Sequence, residues 1–120
     1  MNVRNFLTLN AALVLVVALT NIFFPAMFAE LLDEEINQSL LNSNRSFGAV
    51  IIGNALISWL LRSQQPSPAR KAFLLGAAVN YLVFTAVIVA NVQAFPSVNT
   101  SVAYGMAGLN LLMGLGFVYF

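Results

Sequence analysis

Apolar residues occur in four long runs along the chain, and polar residues collect in the stretches between them. The runs cover about 5–24, 46–61, 72–94 and 102–120. A helix needs roughly 20 apolar residues to cross the hydrocarbon core of a bilayer, so the run at 46–61 is short. Arg45 and Arg62 flank that run, and their long side chains can reach the two interfaces. The pattern predicts an all-α fold, a bundle of four transmembrane helices that forms one membrane domain over residues 1–120.

The longest polar stretch, residues 25–44, has a periodicity of its own. Its apolar side chains recur every four residues, at Phe28, Leu32, Ile36 and Leu40. This spacing predicts an amphipathic helix that lies in the external interface between the first and second spans. Glu30 and Asp33 lie in this stretch and Arg45 directly follows it, which predicts an external ion pair. The alternative, a cation site, lacks the alternating Asp or Asn and the glycine of a calcium loop, so we expect no metal.

Composition narrows the class of protein further. Apolar residues make up 60% of the 120 residues and charged residues 8%, whereas about a quarter of a soluble domain is charged. The chain contains no cysteine and no histidine, which excludes disulfides, thiolate chemistry and imidazole metal sites. A net charge of +1 gives no reason to expect a nucleic-acid partner.

The charged residues divide between the two sides of the predicted bundle. One side has basic residues only, namely Arg4, Arg62, Arg70 and Lys71. The opposite side has Arg45 and all four acidic residues. Because an excess of Lys and Arg marks the cytoplasmic side, we expect an inner-membrane protein with both termini in the cytoplasm.

Each predicted span carries one asparagine at a similar distance from its cytoplasmic end, and no ionisable group lies inside a span. The four are Asn10, Asn54, Asn80 and Asn110, with Tyr81 beside the third and Ser58 one turn from the second. Their depths are roughly 9–15 Å from the helical rise. An amide in hydrocarbon needs a hydrogen-bond partner, so the four would meet in one layer. That layer either sets the register of the helices or forms a polar pocket for the head of an apolar ligand.

Small residues and a weak repeat complete the pattern. Glycines suited to close helix packing lie at Gly48, Gly53, Gly76, Gly105 and Gly108. Asn10 and Asn21 recur at Asn80 and Asn91, an offset of 70 residues each time. Phe-Pro follows both pairs, at residues 24–25 and 95–96. The spacing indicates a direct repeat of two helical hairpins.

Several short motifs together resemble small bacterial four-helix membrane proteins of uncharacterised function. They are the Phe-Phe-Pro end of the first span, Arg45-Ser46-Phe47-Gly48-Ala49, Trp59-Leu60-Leu61-Arg62 and Gly116-Phe117-Val118-Tyr119-Phe120. The resemblance covers the whole chain and implies a membrane bundle, but it brings no activity or cofactor with it.

Two functions are open. The first is a non-enzymatic accessory or structural subunit that packs against a larger membrane complex, respiratory or photosynthetic, because the sequence has no nucleophile–base pair and no metal constellation. The second is a binding protein or carrier for a quinone, carotenoid or lipid, with the asparagine layer and Tyr81 holding its polar end. Neither function requires a resident cofactor.

Overall fold

The computed structural model describes residues 2–94 and 98–120, and within those ranges the regular structure is entirely helical. The helices are α1 Val3–Phe23, α2 Met27–Leu31, α3 Gln38–Leu61, α4 Pro68–Ala94 and α5 Thr100–Tyr119. The predicted all-α fold is therefore confirmed. Phe95 and Pro96, which close the second copy of the repeat, lie outside the described residues.

Three helices, α1, α4 and α5, are long and apolar enough to cross a membrane. The remaining long helix, α3, has 24 residues and a length of about 36 Å, so its length suffices. It begins eight residues before the predicted second span, however, and Arg45 and several amides lie in its first two turns. Asn54 and Ser58 interrupt its apolar part. Polarity, and not length, sets α3 apart from the other three.

Asparagine side chains start three of the helices. Asn2, Asn37 and Asn99 are the N-caps of α1, α3 and α5, and each side chain accepts a hydrogen bond from the backbone N–H three residues later. The N···O distances are 2.9 Å, 2.9 Å and 3.2 Å. Asparagine is among the best N-cap residues because its side chain satisfies an N–H that has no partner inside the helix. These caps place the helix starts two to eight residues before the predicted spans.

The predicted amphipathic helix across residues 28–40 is wrong, because the structure breaks it between α2 and α3. Asp33 has a positive φ of 57°, and its N–H donates to Glu30 O at 3.2 Å while the Glu34 N–H donates to Ala29 O at 2.9 Å. This pair of bonds is a Schellman motif, which ends a helix on a left-handed residue. Aspartate tolerates that conformation better than most residues. The four-residue periodicity therefore runs through two helices and the turn that separates them.

The first compact unit, Met1–Gln64, is a hairpin in which α1 packs antiparallel to α3. Small and aliphatic side chains of α1 are buried along one face, at Leu7, Ala11, Val14 and Ala18. At the external end the Asn44 side-chain amide donates to Pro25 O at 2.7 Å, which ties the start of α3 to the turn after α1. Ala29 of α2 is buried as well.

The second compact unit, Gln65–Phe120, is a hairpin of α4 and α5. The Tyr81 and Phe117 rings stack with their centroids 5.6 Å apart, and Phe73 meets Phe117 edge-on at 6.2 Å. The contacts of α4 continue along α5 in the reverse direction, since the Thr85 hydroxyl donates to Ala107 O at 3.5 Å. The two compact units are thus two helical hairpins, as the sequence repeat predicts.

Candidate functional site

A buried chain of polar side chains links α1 to α3. Asn10 Nδ2 donates to Ser58 Oγ at 2.7 Å, and Ser58 Oγ donates to Asn54 Oδ1 over a longer 3.5 Å. Asn10 and Ser58 both have 0% of their surface exposed. Interhelical hydrogen bonds of this kind stabilise apolar helix pairs and set their register. Ser58 is the residue that joins the two predicted asparagines, and its position one turn after Asn54 was the signal for it.

The other two candidate asparagines are in the second hairpin, and they differ from this pair. Asn110 Nδ2 donates to Met106 O of its own helix at 2.8 Å. The side chain of Asn80 lies on an exposed part of α4. Tyr81, next to it, has its ring against Phe117. The structure thus brings Asn10 and Asn54 together through Ser58, and a layer that joins all four asparagines stays a prediction.

At Gly48 the helices α1 and α3 approach each other closely. A Cβ atom built at Gly48 would lie 2.6 Å from Ala18 O and 3.0 Å from Asn21 Cβ. Asn21 is buried there and donates to Val17 O of its own helix at 2.8 Å. Any side chain at position 48 would push the two backbones apart. Asn21 was not among the candidate residues, although the repeat already singled out its position.

The four other candidate glycines have open space where a side chain would be. No atom lies within 4 Å of a Cβ built at Gly53, Gly76, Gly105 or Gly108. In the second hairpin the close approach is instead at Gly114, where a Cβ would lie 3.0 Å from Leu82 Cδ2. The predicted packing glycines therefore divide into one at the α1–α3 crossing and four with no close neighbour at the Cβ position.

Arg62 closes α3 with two contacts to one aromatic residue. Its guanidinium carbon lies 3.3 Å from the centroid of the Trp59 ring, and Arg62 Nη1 donates to Trp59 O. A cation over an indole face is a favourable electrostatic contact. Tryptophan and arginine together at a helix end are typical of the interface between a membrane and water.

The acidic residues between α1 and α3 do not form a metal site. Glu30, Asp33 and Arg45 are all exposed, and Asp33 occupies the left-handed position that ends α2. In residues 2–94 and 98–120 no group of three or more acidic residues lies close enough together to hold a metal ion. The ion pair with Arg45 stays a prediction.

One family matches nearly the whole chain. Its description is Domain of unknown function (DUF8292), and the match covers residues 1–119. No curated protein and no solved structure is significantly similar to the chain.

Proposed function

We propose that this chain, which belongs to the family described as Domain of unknown function (DUF8292), is an inner-membrane protein in which all four long helices cross the bilayer. We propose further that it is a non-enzymatic subunit whose outer helix faces pack against a larger membrane complex. Three helices are apolar enough to cross, so the four-span proposal depends on the remaining long helix, α3.

The polar groups of α3 are either paired or near its ends. Asn54 and Ser58, in the apolar part of the helix, are connected to Asn10 of α1 by hydrogen bonds. Pairing removes most of the cost of placing such groups in hydrocarbon. Arg45 and the amides before it lie at one end, and Arg62 with Trp59 at the other. The first hairpin therefore presents α3 in a form that a bilayer can accept.

Four glycines support packing against other membrane proteins. Gly53, Gly76, Gly105 and Gly108 all have exposed surface and open space at the Cβ position. Between membrane helices, small residues allow backbones to approach closely and gain van der Waals contact. In contact with lipid alone they bring no such gain. These exposed glycines with open space at the Cβ position are the observation that supports a packing role.

Topology is the first test. Reporter fusions after Phe120 and within residues 63–67 are expected to report cytoplasm, and a fusion near Asn42 the outside, because the basic residues favour the cytoplasmic side. A matched variant with Arg62 and Arg70 both changed to glutamine should weaken this orientation. A fusion at Asn42 that reports cytoplasm would show that α1 and α3 do not both cross.

Co-purification tests the packing role. Cross-linking in native membranes followed by purification in mild detergent is expected to recover other membrane proteins in stoichiometric amounts. A Cβ atom added at Gly105 or Gly108 meets no atom within 4 Å, so changing both to alanine should lower the recovery without lowering the thermal stability. Val118→Leu, at another exposed position of α5, is the matched control.

Two results would contradict the packing role. One is a purified protein with no stoichiometric membrane partner of any kind. The other is a stoichiometric quinone, carotenoid or single lipid species in extracts of the purified protein, which would favour the carrier function instead. Bulk phospholipid in those extracts would argue against the carrier function.

A further inference from the structure

Three asparagines of the chain lie in the acceptor sequence for N-linked glycosylation, which is Asn-X-Ser or Asn-X-Thr with X other than proline. They are followed by Ser39, Ser46 and Ser101 two residues later, and are Asn37, Asn44 and Asn99. The charge distribution predicts that all three lie outside. Of the twelve asparagines in the chain, none in an apolar run or on the predicted cytoplasmic side has this sequence. The acceptor sequence is thus confined to the side on which such sites are used.

The structure distinguishes these three asparagines by their surroundings. Asn44 is half-buried within α3, and its Nδ2 donates to Pro25 O at 2.7 Å. A sugar on that nitrogen would disturb the contact between α3 and the turn after α1. Asn99 is half-buried at the start of α5. Asn37 is exposed, so it is the acceptor that best accommodates a bulky substituent.

The two polar atoms of the Asn37 side chain have different roles. Its Oδ1 accepts a hydrogen bond from the Leu40 N–H at 2.9 Å and caps α3. Its Nδ2, the atom to which a sugar is linked, has no hydrogen-bond partner in the described part of the chain. Glycosylation replaces one hydrogen of Nδ2 and leaves the oxygen unchanged. The cap of α3 is therefore compatible with a sugar on Asn37.

Asn37 also lies beyond the hydrocarbon in the proposed topology. Along α3 it is about 37 Å from Arg62 at the cytoplasmic end, whereas Asn44 is about 27 Å from Arg62. The hydrocarbon core is about 30 Å thick. Asn37 is therefore past the core and Asn44 at its edge, where a large polar group is costly.

We propose that Asn37 is N-glycosylated on the external side of the membrane. The proposal rests on the proposed function in one respect, namely that α1 and α3 cross and leave residues 25–44 outside. That stretch emerges before the second hairpin is synthesised, since the N-terminal part of a chain is made first. The transfer therefore requires no particular arrangement of the two hairpins.

The sugar donor is a lipid-linked oligosaccharide diphosphate, and an oligosaccharyltransferase of the host catalyses the transfer. The Asn37 Nδ2 atom forms a bond to the anomeric carbon of the first sugar. The bond between that carbon and the diphosphate oxygen breaks, the lipid diphosphate leaves, and Nδ2 releases one proton. The product is a glycan on the exposed residue directly before α3.

The test is mass spectrometry of the full chain purified from membranes of the organism that makes it. The intact protein is expected to be heavier than its sequence by the mass of a glycan, and fragmentation should locate the sugar on Asn37. Asn37→Asp should lose this added mass completely. Aspartate caps a helix as well as asparagine does, so the variant keeps the start of α3 and removes only the acceptor nitrogen.

The serine of the acceptor sequence provides a second test that leaves Asn37 in place. Ser39→Ala should also lose the added mass, and Ser39→Thr, which keeps a hydroxyl, should retain it. Ser43→Ala is the matched control. Ser43 is an exposed serine of the same helix that does not belong to an acceptor sequence, so its replacement should leave the added mass unchanged.

Three results would overturn the proposal. They are an intact mass equal to that of the sequence, added mass that persists in Asn37→Asp, and a glycan found only on Asn44 or Asn99. The topology fusions separate this failure from that of the proposed function. If the fusion near Asn42 reports the outside and no glycan is found, only the modification is wrong.

Discussion

Gly48→Ala is expected to lower the thermal stability of the protein in detergent, although alanine is the better helix former. The added Cβ would lie 2.6 Å from Ala18 O, and a backbone oxygen cannot rotate away as a side chain can. The α1 and α3 backbones must therefore separate, which loosens the buried contacts beside them. Overpacking of this kind costs about 1–3 kcal/mol, and the helix propensity of alanine offsets up to about 1 kcal/mol. Gly48→Leu should be more destabilising still.

Gly53→Ala is the matched control, because it lies in the same helix and has no atom within 4 Å of its Cβ position. That variant should be neutral or more stable by up to about 1 kcal/mol. Thermal unfolding followed by circular dichroism in one detergent gives both values. Equal melting temperatures for the two alanine variants would show that α1 and α3 do not cross as closely as the structure places them.

Asn10→Leu is expected to destabilise the first hairpin by about 1–3 kcal/mol, the cost of leaving a buried polar partner unsatisfied. Asn10 and Ser58 are both fully buried and joined at 2.7 Å, so the leucine leaves the hydroxyl with only its longer contact to Asn54. Asn10→Leu combined with Ser58→Ala should recover part of the loss, because removal of both partners is less costly than removal of one.

The double-mutant cycle measures this coupling directly. We expect the Asn10 and Ser58 changes to be non-additive by at least about 0.5 kcal/mol. Asn110→Leu is the control, because the Asn110 amide bonds only Met106 O within its own helix, and its loss should be smaller. Additive effects at Asn10 and Ser58 would mean that the buried hydrogen bond does not hold α1 to α3.

Helix content was predictable because it depends on local pattern. Long apolar runs that end in polar stretches satisfy their backbone groups as helices in an apolar medium, and each predicted run is helical except at the last residue of two of them, Phe24 and Phe120. The first residue of each helix was harder to predict from the sequence. Asn37 could be read as an ordinary polar residue of the loop, yet its cap extends α3 by eight residues beyond the predicted span.

The stretch between α1 and α3 shows where periodicity alone fails. Phe28, Leu32, Ile36 and Leu40 are spaced as in one helix, but spacing does not reveal whether the backbone stays helical between them. The left-handed conformation of Asp33 and the cap at Asn37 decide that it does not. The backbone hydrogen bonds of the turn at Asp33 and the side-chain hydrogen bond of the Asn37 cap compete with a continuous helix and interrupt it here.

The sequence by itself determined the all-helical class of the fold and the set of polar groups within its apolar runs, because composition and position along a helix are one-dimensional properties. Only the tertiary structure decided which of those groups meet. Asn10 bonds Ser58 on another helix, Asn110 bonds its own backbone, and Asn80 is exposed on α4, although all three are the same residue type at a similar distance along their helices. The rotation of each helix about its axis makes the difference, because it decides whether a polar side chain faces a neighbouring helix, as Asn10 faces Ser58.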